Sequence, residues 1–200
     1  MVLGMYDVWQ SRSHILTKAH RSTFGFQIGI PGQVVRLLPS TAAYNTWTVD
    51  ADIGCPSQAG SNCVKTRGGT FKSESSLTWL NNSIYSNQLE SKLGIDITAY
   101  YGWDTVTLGW PDAAQPPPAV QHSVMQNYAD AKYWTGMFGL NPRPTNFSTL
   151  ASPQESIMGL LKNNNTIPSL SWSYTAGNQY RRFRSVCSEK QLLTCHPLQV

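Results

Sequence analysis

Charged side chains are scarce in this sequence. Only 13% of its 200 residues are Asp, Glu, Lys or Arg, about half of the roughly 25% found in ordinary globular domains. Long amphipathic helices need a charged outer face, so this shortage argues against a fold built from them. The net charge is only +4, and no stripe or helix concentrates basic residues. We therefore expect no nucleic-acid partner.

Metal-ligand motifs and long apolar runs are also absent. The four cysteines and four histidines form neither a CxxC nor an HExxH pattern, which argues against a zinc site. We predict no metal ion and no cofactor. No apolar run approaches the roughly 20 residues that a membrane-spanning helix needs, so no transmembrane segment is expected. The first twenty residues likewise lack the apolar core of a signal peptide.

The cysteines that are present fall into two local pairs. Cys55 and Cys63 form one pair, and Cys187 and Cys195 form the other. An even number of cysteines in local pairs is typical of disulfides formed in an oxidising compartment. We predict a Cys55–Cys63 disulfide and consider a second one between Cys187 and Cys195.

Three Asn-x-Ser/Thr sequons agree with that compartment. They begin at Asn81, Asn146 and Asn164, and each is a candidate for N-glycosylation. Together with the cysteine pairs they favour a secreted or cell-surface protein, although the chain carries no export signal of its own.

Glycine, proline and aromatic residues are plentiful, and the hydrophobic pattern is mostly that of strands. A capping box with proline at its second position, residues 152–155, predicts the start of one helix. Alternating or β-branched segments predict a mainly β domain with one or two short helices. The predicted strands are residues 24–30, 33–38, 46–49, 95–108, 119–125 and 167–174. Residues 1–21 are interpreted as an extension and residues 181–200 as a divergent tail.

Several segments, in order, resemble the N-terminal lobe of the pepsin-like aspartic peptidases, most closely a fungal secreted branch. The resemblance covers residues 22–180, about four-fifths of the chain, and implies a pepsin-like acid protease fold with one lobe. In that family a tryptophan follows the first active-site loop, and a small disulfide loop lies just beyond it. The matching segments are residues 28–33 (IGIPGQ), Trp47, the Cys55–Cys63 pair, residues 71–79 (FKSESSLTW), 102–106 (GWDTV), 136–140 (GMFGL) and 167–171 (IPSLS).

The same resemblance implies that the catalytic machinery has been lost. The family hydrolyses peptides with two aspartates that share a proton across a cleft, each from an Asp-Thr/Ser-Gly loop. Seven residues after Gln33, where that loop belongs, the sequence has Ser40, Thr41 and Ala42. A serine hydroxyl cannot replace a carboxylate in this chemistry, and losing one member of the pair costs many orders of magnitude in rate. We therefore predict no catalytic residue.

Two further elements of the family are missing. The hairpin that covers the substrate carries a YGTGS motif, which is expected near residues 89–95 and is absent there. No Asp-Thr/Ser-Gly tripeptide occurs anywhere in the chain, so the second lobe with its own aspartate is absent too.

Three functional hypotheses follow. The first is a catalytically inactive relative that binds a peptide, protein or glycan in the old substrate cleft. The second is an active aspartic endopeptidase whose C-terminal lobe comes from elsewhere. The third is a truncated gene product without independent function.

Other residues invite sharper interpretations, which we weigh against ordinary structural roles. Asp50, Asp52 and Asp104 are the carboxylates nearest the matched motifs, but solvated-loop or strand-edge roles are favoured for all three. A serine nucleophile at Ser40 lacks a histidine partner and a G-x-S-x-G elbow. A sugar- or peptide-binding aromatic platform is less favoured than strand packing, its members being Tyr100, Tyr101, Trp103, Trp110, Tyr133 and Trp134.

Overall fold

A computed structural model describes residues 23–56, 60, 62–90, 95–111, 116–128, 135–144 and 153–173. The fold is mainly β with a few short helices, as the sequence predicts. The predictions for residues 1–21 and 181–200, the Cys187–Cys195 pair, Asn146, Tyr133 and Trp134 lie outside the described residues.

The strands are β1 (Phe24–Ile28), β2 (Gln33–Ser40), β3 (Thr46–Val49), β4 (Leu80–Glu90), β5 (Ile95–Leu108), β6 (Ala119–Tyr128) and β7 (Gly136–Gly139). The helices are α1 (Ala51–Gly54), α2 (Cys63–Thr66) and α3 (Ile157–Asn163), with a 3-10 turn at Ser73–Ser75.

Six of the strands close into a barrel. Their order is β1-β2-β7-β3-β6-β5, and β5 pairs back onto β1 to complete the ring. Strand β7 lies between β2 and β3, parallel to β2 and antiparallel to β3. Strand β4 stands outside the ring and pairs with β5 alone among the described strands. The β4–β5 hairpin is therefore an appendage of a closed barrel.

The hydrophobic core forms two clusters on opposite sides of the barrel wall. The larger cluster joins the side chains of β1, β2 and β7 to helix α3, with Leu161 fully buried among them. The smaller cluster is aromatic and centres on Trp47, whose ring meets that of Tyr128 edge to face with centroids 4.6 Å apart. Alternation along each strand sends successive side chains to opposite faces, which is how one sheet supports both clusters.

Residues 50–78 contain two short helices. The Asp50 carboxylate begins α1 by accepting hydrogen bonds from the backbone N–H groups of Asp52 and Ile53, as an N-cap does. The predicted Cys55–Cys63 disulfide is present and joins the end of α1 to the start of α2. Each helix is only four residues long, too short to show a helical period in the sequence.

The start predicted for the one longer helix is wrong. Helix α3 begins at Ile157, and Ser156 caps it by accepting the Gly159 N–H at 3.1 Å. Pro153, predicted to be the first helical residue, is exposed and lies before the helix. Ser156 is as good an N-cap residue as the predicted Ser152. The apolar period of the helix does not distinguish between these two starts.

The strand predicted at residues 167–174 is absent from its described part, residues 167–173. The backbone N–H groups of Thr166 and Ile167 instead donate back to the Leu161 carbonyl, which satisfies the end of α3 rather than a sheet. Pro168 has no N–H to give to a ladder. Within the described residues, no helix is long and apolar enough to cross a membrane.

Candidate functional site

The residues that the sequence places at the degenerate active-site loop lie between two strands of the barrel. Ser40 is the last residue of β2, and the chain reaches β3 at Thr46. We call residues 40–44 the 40–44 loop. Because β7 runs between β2 and β3, the loop passes over the end of β7.

Hydrogen bonds from the segment after β7 hold the 40–44 loop in place. The Leu140 N–H donates to the Ser40 carbonyl at 2.9 Å, and the Asn141 N–H donates to the Ala43 carbonyl at 3.1 Å. The side-chain amide of Asn141 adds a longer bond to the Ala42 carbonyl at 3.4 Å. The loop is thus fixed through its backbone, which leaves its side chains free to vary.

Gly139 makes this close approach sterically feasible. A Cβ placed on Gly139 would come within 2.7 to 2.8 Å of the backbone atoms of Ala43, Tyr44 and Asn45. Real Cβ atoms do not approach so closely, so any side chain here would push the loop away from β7. Close packing against the 40–44 loop therefore explains why the second glycine of the GMFGL segment cannot carry a side chain.

The Ser40 hydroxyl is engaged within its own loop. Its Oγ accepts a hydrogen bond from the Ala43 N–H at 3.1 Å, and no histidine bonds to it among the described residues. Thr41 and Ala42 are exposed. The loop contains no carboxylate, so it offers neither an acid nor a base of the kind that peptide hydrolysis needs.

Of the three neighbouring aspartates, two have roles unlike those the sequence favours. Asp50 is buried, and besides capping α1 it accepts a hydrogen bond from Asn127 Nδ2 at 2.7 Å. Asp104 is only 1% exposed. Only Asp52 is solvated, in an ion pair of 3.3 Å with Lys72. The expectation of a solvated role is thus wrong for Asp50 and Asp104. Both carboxylates accept hydrogen bonds from residues that are distant in sequence, which the pattern of a single strand does not reveal.

Asp104 collects its donors on one oxygen. Its Oδ1 accepts from the hydroxyls of Ser76 and Thr78 and from the Thr105 N–H. Its Oδ2 is buried and has no hydrogen-bond partner among the described residues. A carboxylate held this way fixes the segment before β4 against β5.

Tyrosine side chains connect the 40–44 loop to the hairpin. Tyr44 is 41% exposed. Burial, with a smaller contribution from the nearby Tyr44 phenol, raises the pKa of Tyr101 on β5 well above its ordinary value. Tyr101 in turn meets Tyr85 of β4 edge to face, with ring centroids 5.3 Å apart. The Tyr85–Tyr101 contact joins the two strands of the hairpin, and Tyr44 lies near enough to Tyr101 to influence its pKa.

A second aromatic pair lies on β5 and β6. Trp103 and His122 stack with centroids 5.1 Å apart and an interplanar angle of 12°. His122 has a positive φ of 55°, which is uncommon for a residue other than glycine. It sits where the β5–β6 register shifts between Asp104 and Val106, so a bulge accounts for this backbone conformation.

The structure divides the predicted platform. Tyr101 packs against Tyr85, whereas Trp110 lies over Gly25 and its ring receives the Arg36 guanidinium at 5.4 Å. Sequence reasoning missed Tyr44, Tyr85 and His122. Tyr85 lies in a segment without clear alternation, and Tyr44 sits in a loop where no period exists. No group of residues that could hold a metal ion occurs in the part of the chain described.

Comparison with known proteins adds no relative. No family model matches the chain, and no curated protein matches it.

Proposed function

We propose that this protein is a non-catalytic relative of the pepsin-like aspartic peptidases that binds extended peptides beside the 40–44 loop. The observation that carries the proposal is the placement of Ser40. It ends β2 in a loop that is held by the segment after β7, and the loop itself contains no carboxylate. The loop is built to hold its shape without the groups that would cleave a bound chain.

The motif order supports the family assignment within this proposal. Of the seven matched segments, Trp47 lies on β3, residues 102–106 lie on β5 and residues 136–139 lie on β7, and all three strands belong to the barrel. Ser40 pairs with Gly139 and Trp47 pairs with Met137. Segments that are distant in sequence are thus brought onto one barrel.

The surroundings of the loop favour a peptide over a glycan. Tyr44 and Tyr85 present apolar ring faces with one polar end each, and tyrosine is enriched in protein interfaces for that reason. Carboxylates and amides, which would orient sugar hydroxyls, are absent from the 40–44 loop. We therefore commit to a peptide, and a glycan becomes an outcome of the test.

The experiment compares two peptides that differ at one residue. The first contains statine, whose hydroxyl mimics the tetrahedral transition state, and the second has an ordinary amino acid in its place. We expect the full chain to bind both equally, because no carboxylate pair is present to recognise the hydroxyl. An active enzyme would bind the statine peptide at least about a hundredfold more tightly.

A matched pair of variants locates the binding site. Tyr44→Ala removes an exposed ring from the loop and should weaken peptide binding about tenfold. Leu77→Ala removes an 86% exposed side chain beside the Gly29–Gly32 turn, at the other end of β2 from Ser40, and should change nothing. Equal effects, binding of an oligosaccharide instead, or no binding at all would overturn the proposal. The last result would favour a product without independent function.

A further inference from the structure

An arginine on β2 rests against a tryptophan. The strand neighbours of Arg36, Val35 and Leu37, are buried in the larger core cluster, so the Arg36 side chain points to the opposite face of β2. There its guanidinium lies over the ring of Trp110, with Cζ 5.4 Å from the ring centroid. This distance is within the range of a cation–π contact. Arg36 is half-buried, so its charge is only partly hydrated.

Neighbouring residues hold the Arg36 side chain in place. Gly25 of β1 pairs with Arg36, and the Trp110 ring lies so close to Gly25 that a Cβ there would collide with it. The turn after α2 contacts the stem of the side chain, since a Cβ on Gly68 would lie 3.1 Å from the Arg36 Cβ. The Arg36 Nε donates to the Thr23 hydroxyl at 3.0 Å. Trp110 and Thr23 thus position the guanidinium, and its two terminal nitrogens are left for a further partner.

Hydrogen-bond donors outnumber acceptors among Arg36, Trp110 and Thr23, which we call the Arg36 cluster. Arginine has five N–H donors and no acceptor, and the tryptophan indole has a donor only. Among the described residues, the Arg36 side chain donates only to Thr23, so Nη1 and Nη2 have no protein acceptor. The Trp110 Nε1 is buried and also lacks a hydrogen-bond partner in that part of the chain. Such a cluster calls for a ligand that accepts hydrogen bonds.

The charges around Arg36 favour an anion as that ligand. In the described ranges the one ion pair joins Lys72 to Asp52, so no carboxylate of those ranges neutralises Arg36. Burial lowers the pKa of Arg36, yet a guanidinium keeps its proton at neutral pH. Lys65 is exposed on α2 and adds positive charge nearby. Its carbonyl accepts the Gly68 N–H at 3.3 Å, and the Gly68 carbonyl accepts the Arg36 N–H at 2.6 Å.

We propose that the Arg36 cluster binds a small organic carboxylate. The terminal nitrogens of a guanidinium form a planar fork that matches the two oxygens of a carboxylate. The Trp110 ring offers apolar surface beside this fork. Val34, two residues before Arg36 on the same face of β2, is 39% exposed and offers more. An organic acid has a carbon body that can contact this surface, whereas inorganic phosphate has none.

This inference does not rest on the proposed function. Arg36 lies four residues before Ser40, which is about 14 Å along β2. Arg36→Gln should therefore leave the binding of a C-terminally amidated peptide beside the 40–44 loop unchanged. The failure of one proposal is thus distinguishable from the failure of the other.

The test titrates the full chain with benzoate, a planar carboxylate, and with benzamide, its neutral counterpart of the same shape, by calorimetry. Benzoate should bind at least about tenfold more tightly than benzamide, and Arg36→Gln should raise its dissociation constant at least about tenfold. Arg143→Gln removes the same charge from an exposed arginine after β7 and should leave that constant unchanged. Circular dichroism checks that both variants are folded.

Nuclear magnetic resonance of the unmodified chain identifies the site without relying on Arg36→Gln. Among the seven tryptophans, benzoate should shift the indole N–H signal of Trp110, which is assigned by its loss in Trp110→Phe. Absence of saturable benzoate binding overturns the proposal, as does equal binding of benzamide or tighter binding of inorganic phosphate. Equal weakening by the Arg36 and Arg143 variants, or shifts that spare Trp110, would place the ligand elsewhere and overturn it too.

Discussion

Two strands that are consecutive in the chain, β2 and β3, end in segments of opposite character. After β2, the 40–44 loop contains no carboxylate, histidine, lysine or arginine, and its backbone carbonyls accept hydrogen bonds from the segment after β7. After β3, the segment from Asp50 to Arg67 buries two charged side chains, each bonded on several sides. Arg67, only 3% exposed, donates to the Gly54 carbonyl and to the Tyr128 hydroxyl. The charged side chains after β3 thus serve the fold, while the 40–44 loop carries no charged side chain.

The largest effect is expected at Asp50. Asp50→Ala leaves the first N–H groups of α1 and one of the two N–H groups of the Asn127 amide without an acceptor, so it should lower the free energy of unfolding by about 3 kcal/mol. The matched change Asp52→Ala removes an exposed ion pair and should cost less than about 0.5 kcal/mol. Urea unfolding measures both. Equal losses would mean that the Asp50 network does not organise this segment.

The Cys55–Cys63 disulfide should contribute slightly less. Closing a loop of eight residues restricts the unfolded chain by about 2.5 kcal/mol, which the double change to serine removes. Thermal unfolding would measure the loss. If the two strand ends are independent, peptide binding at the 40–44 loop persists in the folded double variant. Abolished binding would show instead that the two regions are coupled.

Alkaline pH tests the contact between the loop and the hairpin. The pKa of Tyr101 is raised above its ordinary value of 10.0 by burial and then by Tyr44. The stability linked to this group is therefore fully present below pH 10.0 and is lost as the pH rises above that value. The loss should approach about 1.4 kcal/mol per pH unit. Tyr101→Phe should flatten the alkaline limb of the stability curve, and an unchanged limb would contradict the assignment.

The smallest change is expected at Ser40. Ser40→Ala removes the hydrogen bond from the Ala43 N–H and should lower the free energy of unfolding by about 1 kcal/mol. Thr41→Ala, its exposed neighbour, should have almost no effect. A much larger loss of unfolding free energy for Ser40→Ala would show that the Ser40 hydroxyl is important for the stability of the fold.

Much of the architecture could be predicted from the sequence, and the reasons differ by element. The bounds of β3 and β5 were correct, because β-branched runs identify them directly, and the Cys55–Cys63 pair was identified by its spacing. Strand β4 was missed, since its polar LNNS segment packs against β5 rather than into a core. The start of α3 depended on a choice between two serine caps that local pattern does not make.

The candidate site was harder to predict than the fold. The position of Ser40 followed from counting along a strand. The environments of Asp50 and Asp104 depend on donors from Asn127, Ser76 and Thr78, which lie 77, 28 and 26 residues away. The proximity of Tyr44 to Tyr101 likewise joins elements distant in sequence. Such contacts are set by strand order, which a single sequence does not reveal.

One measurement tests the central claim most directly. The full chain and its Ser40→Asp variant are incubated at acid pH with a mixture of unfolded-protein peptides, and mass spectrometry follows both the bound and the cleaved species. We predict that peptides are retained intact by both forms, because one carboxylate at position 40 does not make the pair of aspartates that this hydrolysis requires. Cleavage by the unmodified chain, suppressed by the statine peptide, would contradict the claim that this site binds without hydrolysing.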